Sequence, residues 1–236
     1  MTSRSATAAP GRVRPAGRGF RSRRLGAIVQ PMVEDTGSVV RRGTAADRRQ
    51  VARVLAAAFA DDPVFTYLFP PAMSRRQARL QRMFDLEAGR SEHRGGTWIA
   101  GEGAGATVWF PPGEWTSTTW EDVRDGPSWV RLFGRQMRLG QKARSVMEAH
   151  HRQLPDHWYL LYAGVEPGRQ GQGIGSALLR PVLEECDRTG APAYLEASCE
   201  RNRALYARHG FVERDPLPLP DGGPTMVPMW REPVSR

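Results

Sequence analysis

Val165-Glu166-Pro167-Gly168-Arg169-Gln170-Gly171-Gln172-Gly173-Ile174-Gly175-Ser176-Ala177-Leu178-Leu179 is the stretch around which the rest of this chain arranges itself. The residues leading into it, Trp158-Tyr159-Leu160-Leu161-Tyr162-Ala163-Gly164-Val165, are an aromatic and aliphatic run that predicts a buried strand. Those following it, 176–188, predict a helix. Between the two lies a turn rich in glycine. A strand, a glycine turn and a helix N-terminus make an anion site, because unpaired N–H groups and the helix dipole both point at the turn. Glycines at 171, 173 and 175 let a phosphate approach the backbone where a Cβ would obstruct it. The stretch reads as a cradle for the pyrophosphate of a coenzyme.

Spacing separates the kinds of phosphate cradle. A P-loop requires Lys and then Ser or Thr after its last glycine, whereas Gly173 is followed by Ile174 and Gly175. A dinucleotide fingerprint starting at Gly171 and Gly173 would put Ser176 at its third glycine, with Glu196 near the ribose-binding position. A third pattern, Gln/Arg-x-x-Gly-x-Gly/Ala, is met in full by Gln170, Gly173 and Gly175. Further on, 193–198 predicts a strand, and Asn202 opens a short predicted helix that carries Tyr206 and closes at Gly210-Phe211. The two segments together resemble the acetyl-coenzyme-A signatures of the GNAT family of N-acetyltransferases. Ala56-Ala57-Ala58-Phe59-Ala60-Asp61, Gln170-Gly171-Gln172-Gly173, Leu195-Glu196 and Arg201-Asn202 are similar to puromycin N-acetyltransferase and its relatives within that family. The resemblance covers residues 38–232. It implies an α/β (α+β) GNAT fold: a mixed sheet of six to seven strands, splayed between two parallel central strands, with flanking helices.

The net charge of +9 raises the question of nucleic acid, but its location answers it. Residues 1–31 hold seven arginines and no acid, so the rest of the chain carries only +2. Residues 1–37 are rich in Arg, Ala, Gly and Pro and are expected to be a disordered basic tail, with Met32 as an alternative start. A short tail at 233–236 closes the chain. No specific nucleic acid is expected as a partner. Two cysteines are too few for a disulfide or zinc framework, and no apolar run reaches the roughly 20 residues of a membrane helix. A cytoplasmic monomer or homodimer, with no membrane partner, is the resulting expectation.

In the first half, 39–42 predicts a strand, and Thr44 caps a helix whose apolar face is Val51, Val54, Leu55, Ala58 and Phe59. Asp61-Asp62-Pro63 is expected to end it. Residues 64–71 read as an aromatic connector, and a second helix follows over 74–88. Two strands flank the Gly101-Glu102-Gly103 turn. The region up to His151, with Gly134 and Gly140, predicts two or three helical pieces. His150, His151 and His157 lack a recognised ligand spacing and read as a polar helix end, so no metal is expected.

The resemblance also implies a site. Acetyl-coenzyme A is the expected co-substrate, held by Gln170, Gly171, Gln172, Gly173, Ile174, Gly175 and Ser176. The strand edge at Ala163, Gly164 and Val165 is expected to meet the pantetheine arm through main-chain groups, with Gly164 leaving room, and Asn202 to steady the same arm. Because the first helix pair borders the acceptor site in this fold, Asp61, Asp62 and Tyr67 become acceptor-binding candidates, with Trp109. An alkyl ammonium has a pKa near 10.4 and must lose a proton before attacking; Glu196 is the candidate base, directly or through water. The departing thiolate needs a proton, which Tyr206 can supply. The expected reaction is acetyl transfer to a primary amine of a small molecule, including an aminoacyl-nucleoside antibiotic. The alternatives are a protein or peptide N-acetyltransferase, a dinucleotide-dependent oxidoreductase and a non-catalytic coenzyme-A-binding domain.

Overall fold

The computed structural model describes residues 39–117 and 119–234. The basic tail over 1–37, the alternative start at Met32 and the end of the 233–236 tail lie outside the described residues. Strand β1 (Val40–Arg42) leads through a 3-10 turn into helix α1 (Arg48–Ala58). The turn is a capping box: Thr44 and Asp47 satisfy each other's backbone N–H groups, as the Thr-x-x-Asp spacing predicts. Helices α2 (Pro63–Leu68) and α3 (Arg76–Glu92) follow, then β2 (Thr97–Ala100) and β3 (Gly105–Phe110). Next come α4 (Thr119–Phe133) and α5 (Met137–His151), joined by a 3-10 turn that starts at Gly134 with φ +53°. The second half holds β4 (Trp158–Val165), α6 (Ile174–Thr189), β5 (Ala193–Ala197) and α7 (Glu200–Arg208). It closes with β6 (Val212–Glu213), β7 (Leu217–Pro218) and β8 (Thr225–Arg231).

The sheet runs β1-β2-β3-β4-β5-β8-β6, with β7 paired only to β8, and β4/β5 is its parallel pair. Seven strands lie on the path and β7 makes an eighth, one more than the six to seven expected. One face packs on α1 and α3, where Val51, Leu55, Leu80, Phe84, Ile99, Ala106 and Val108 share a buried cluster. The other face packs on α6 through Leu160, Leu179, Val182, Leu183, Leu195 and Met229. Burial of each of these side chains other than Ala106 is worth about 1.5–3 kcal/mol.

Two local predictions are corrected. Residues 64–71 are not a plain connector, because Asp62 accepts hydrogen bonds from the N–H groups of Val64 (2.9 Å) and Phe65 (3.3 Å) and so caps α2, with Pro63 at its first position. Helix α7 begins two residues before Asn202, with Cys199 at the cap position, so Asn202 lies in the first turn rather than opening the helix.

Where β3 meets β4 the register shifts between Val108 and Trp109. Val108 pairs with Tyr162 and Trp109 with Leu160, leaving Leu161 as an extra residue on β4. This bulge sends Leu161 and Tyr162 toward the same side of the sheet.

Candidate active site

The cradle is built as its sequence requires. After β4 the chain makes a short 3-10 turn at Pro167–Arg169, then crosses Gly171 (φ +79°) and Gly173 (φ +80°) into α6. Left-handed φ explains both glycines, and a Cβ on Gly171 would meet nothing within 4 Å. The turn is therefore open in front, and the first N–H groups of a 16-residue helix face it without intrahelical partners. Gly175 has a different reason: a Cβ there would lie 3.2 Å from Leu205 Cδ2, so it seats α7 against α6. Gln170 fastens the loop, donating from Nε2 to the Val165 carbonyl (3.1 Å) and accepting from Arg201 Nη1 (2.6 Å). An exposed turn of this shape fits a pyrophosphate.

Beside the cradle the sheet opens. Strand β5 pairs with β4 only over Trp158–Leu160, while β4 stays paired with β3 as far as Val165. Past Leu160 the main chain of β4 thus keeps a free edge toward β5. A cavity of about 440 Å³ opens at this splay, and Ala163, Glu196, Ser198, Asn202 and Tyr206 all line it. Gly164 points elsewhere. A Cβ on it would come within 2.8 Å of Ala58 Cβ and 2.9 Å of Leu55 Cδ2, so its small size serves the packing of α1 on the sheet rather than close approach of a ligand.

The cavity extends under α4 and α5, where Phe59, Phe65, Trp115, Trp129, Phe133 and Tyr162 give it an aromatic wall. Asp62 is the acceptor candidate that reaches it. Burial raises its carboxyl pKa, against the Ser198 hydroxyl and the two capping N–H groups that favour the charged form. The other three candidates are corrected. Asp61 is exposed and outside the lining. Tyr67 donates its hydroxyl to the Pro220 carbonyl (2.6 Å) and anchors the turn before β8. Trp109 is fully buried in the cluster on the α6 face, because strand alternation turns it away from the face of Val108.

Glu196 sits at the floor in company that its sequence surroundings do not announce. Its side chain is 2% exposed, and its carboxylate accepts from Tyr159 Oη (2.8 Å) and Tyr194 Oη (2.9 Å) and meets His151 Nε2 at 2.7 Å. Burial pushes the carboxyl pKa up, but His151 and the two tyrosines outweigh it and hold the group below its ordinary value. Both tyrosine hydroxyls are raised, first by burial and then by Glu196 itself. The predicted polar helix end is corrected here: His151 and His157 are buried, with ring centroids 5.5 Å apart. His157 Nδ1 donates to the Pro155 carbonyl at 2.7 Å, and burial lowers its pKa. Tyr206 is 6% exposed, and burial raises its hydroxyl above the ordinary phenol value.

Among the described residues no helix is long and apolar enough to cross a membrane, and no group of three or more His, Cys, Asp or Glu side chains is arranged to hold a metal ion.

Residues 106–211 match the Acetyltransferase (GNAT) family. An uncharacterised N-acetyltransferase of Schizosaccharomyces pombe is 30% identical over 191 residues, 76% of either chain. A Corynebacterium glutamicum crystal structure, described as histone acetyltransferase HPA2 and related acetyltransferase, aligns with a TM-score of 0.64 at 29% identity. It covers 84% of this chain and 97% of that one. The Drosophila melanogaster polyamine N-acetyltransferase, which forms N-acetylagmatine, shares the fold at a TM-score of 0.57 and 16% identity, over 83% of this chain and 99% of that one. With a parallel β4/β5 pair that splays beside a Gln-x-x-Gly-x-Gly turn, and with relatives of this kind along most of its length, the chain belongs to the GNAT family of acetyltransferases, enzymes that use acetyl-coenzyme A.

Proposed function

We propose that this protein acetylates the primary amine of a small molecule by direct attack within a ternary complex. The observation that carries the proposal is the single cavity joining Tyr206, Asn202 and Glu196 at the splay to an aromatic wall under α4 and α5. Acetyl-coenzyme A supplies the acyl group and the sulfur leaving group. The backbone from Gln170 to Ser176 holds the pyrophosphate, with the dipole of α6 behind it. The free edge of β4 at Ala163–Val165 offers main-chain groups to the pantetheine arm, which Asn202 steadies. Asp62 offers a carboxylate to the acceptor ammonium, and the buried network centred on Glu196 takes its proton. Tyr206, a phenol and so protonated at neutral pH, gives its proton to the departing sulfur.

A cavity with an aromatic wall favours an acceptor with an apolar or aromatic body. That agrees with the resemblance to puromycin N-acetyltransferase and with an aminoacyl-nucleoside acceptor. The test is thiol release from acetyl-coenzyme A over a panel of puromycin, tyramine, agmatine and a lysine-containing peptide. Turnover of puromycin or tyramine well above that of the peptide is expected. Turnover of the peptide alone would reassign the protein as a peptide acetyltransferase, and release with none of the amines would remove the catalytic reading.

A further inference from the structure

We propose that the base of this site is Nδ1 of His151, with Glu196 as the residue that positions it. The inference rests on the acetyltransferase reading above and assigns the proton-accepting atom within it.

The hydrogen bonds leave little choice. The Glu196 carboxylate is met by two phenolic hydroxyls and one imidazole nitrogen, at 2.7–2.9 Å, on a side chain that is 2% exposed. Three of its roughly four lone-pair sites already face these donors, and the three contacts stabilise the charged form. Such a carboxylate is a poor acceptor for a further proton. Beside an ionised Glu196, Nε2 of His151 must carry the hydrogen, since an unprotonated nitrogen facing a carboxylate at 2.7 Å would be repulsive. A neutral imidazole with hydrogen on Nε2 keeps its lone pair on Nδ1. That atom is buried and has no hydrogen-bond partner among the described residues. His151 is among the residues that line the cavity, with Tyr206 and Asp62. A buried nitrogen lone pair without a donor is unfavourable. An incoming ammonium supplies the missing donor.

The surroundings fix the ring rather than compete for it. Tyr159 on β4 and Tyr194 on β5 meet it edge-on at 4.4 and 4.8 Å between centroids, and Trp115 packs on it at 4.6 Å. His157, next to Asp156 in the segment before β4, is the nearest other imidazole, and its Nδ1 is engaged by Pro155. On the same helix the charged neighbours are Glu148 and Arg152, which pair with each other, together with His150. Glu196 is thus the carboxylate in contact with His151.

The proton accounting closes. The acceptor ammonium gives one proton to Nδ1, leaving an amine and an imidazolium facing Glu196. As the carbon–nitrogen bond forms and the carbon–sulfur bond breaks, Tyr206 protonates the sulfur, and the second nitrogen proton replaces the one that Tyr206 gave. His151 then returns its proton to solvent. Amide, thiol and one proton are the products.

Nitrogen-15 NMR of the full chain tests the tautomer without any substrate. Hydrogen on Nε2 and a bare Nδ1 of His151 are expected near pH 7.5; hydrogen on Nδ1 would overturn the proposal. The kinetic arm compares wild type, H151Q and E196Q on puromycin, or on tyramine if that turns over faster, after unchanged far-UV circular dichroism and acetyl-coenzyme A affinity establish folding. In H151Q, kcat/KM at pH 7 should fall by at least about 10²-fold, the lower end for general base catalysis. It should then keep climbing with pH toward the pKa of the amine, instead of reaching a plateau. In E196Q the acid limb should persist while the plateau drops, because the base is still present but no longer held in place. A wild-type profile in H151Q, or loss of the acid limb in E196Q alone, would return the base to Glu196. Absence of thiol release by the wild type with every amine would instead sink the acetyltransferase reading, whichever tautomer the spectrum gives.

Discussion

Gly164 on β4 and Ala58 on α1 stand so close that a methyl group on the glycine would lie 2.8 Å from the alanine Cβ. Leu55 Cδ2, at 2.9 Å, closes the other side. Ordinary carbon contacts need about 3.5–4.0 Å, so either α1 or β4 must shift to admit one atom. Gly164→Ala is expected to cost about 1–3 kcal/mol, the usual range for overpacking a core. Urea denaturation checks this. Stability within error of wild type would mean that α1 is mobile enough to give way.

Gly173 enters α6 with φ +80°, in front of open solvent. Gly173→Val adds a branched side chain in a left-handed conformation and at the mouth of the cradle. Strain of about 1–2 kcal/mol is expected, with loss of acetyl-coenzyme A binding far beyond what that strain explains. Calorimetric titration checks it; unchanged affinity would clear the turn of any phosphate role.

Tyr206→Phe keeps the ring and its edge-on contact with Phe211, 6.0 Å between centroids, and removes only the hydroxyl. Coenzyme affinity should stay within a few-fold while turnover falls by about 10²–10⁴. The loss should appear in kcat and kcat/KM alike, since the proton is given as the carbon–sulfur bond breaks. Normal turnover when chemistry limits the rate would reduce Tyr206 to a packing residue.

The histidines also set a pH dependence of stability. Burial lowers the pKa of His157 and of His209, so the unfolded chain takes up these protons more readily than the folded one. Their contribution is complete above the ordinary value of about 6.5 and is lost as pH falls from there through the lowered native values. The thermal midpoint should therefore drop between pH 7 and pH 5, and His157→Gln should flatten part of that slope. An unchanged slope in the variant would exclude His157 as a source.

The strand, glycine turn and helix over 158–189 were more legible in the sequence than the surroundings of Glu196. Cradle, flanking strand and helix are contiguous, so the left-handed glycines at 171 and 173 could be read from local spacing alone. His151 and Glu196 are 45 positions apart, and nothing at either position signals the other. Trp109 and Tyr162 were hidden by the same limit: alternation gives the face of a residue only when the register is known, and the bulge at Leu161 is set by the pairing of β4 with β3. Asp62-Pro63 was ambiguous for another reason. The pair ends one helix and begins the next, and composition cannot tell which of these the chain does.

One feature of the sheet bears on how such a protein can diversify. Phe110 at the end of β3 and Tyr159 near the start of β4 are partners across the ladder, and everything at 111–157 leaves and returns between them. Much of the aromatic wall over the acceptor is thus encoded as a cassette spliced into a hairpin. The glycine turn at 170–175 and Tyr206 lie wholly outside it. If the proposed function holds, exchange of that cassette between relatives is expected to change the amine accepted while leaving the glycine turn at 170–175 unaltered, provided that each incoming cassette ends on a residue able to reach Glu196.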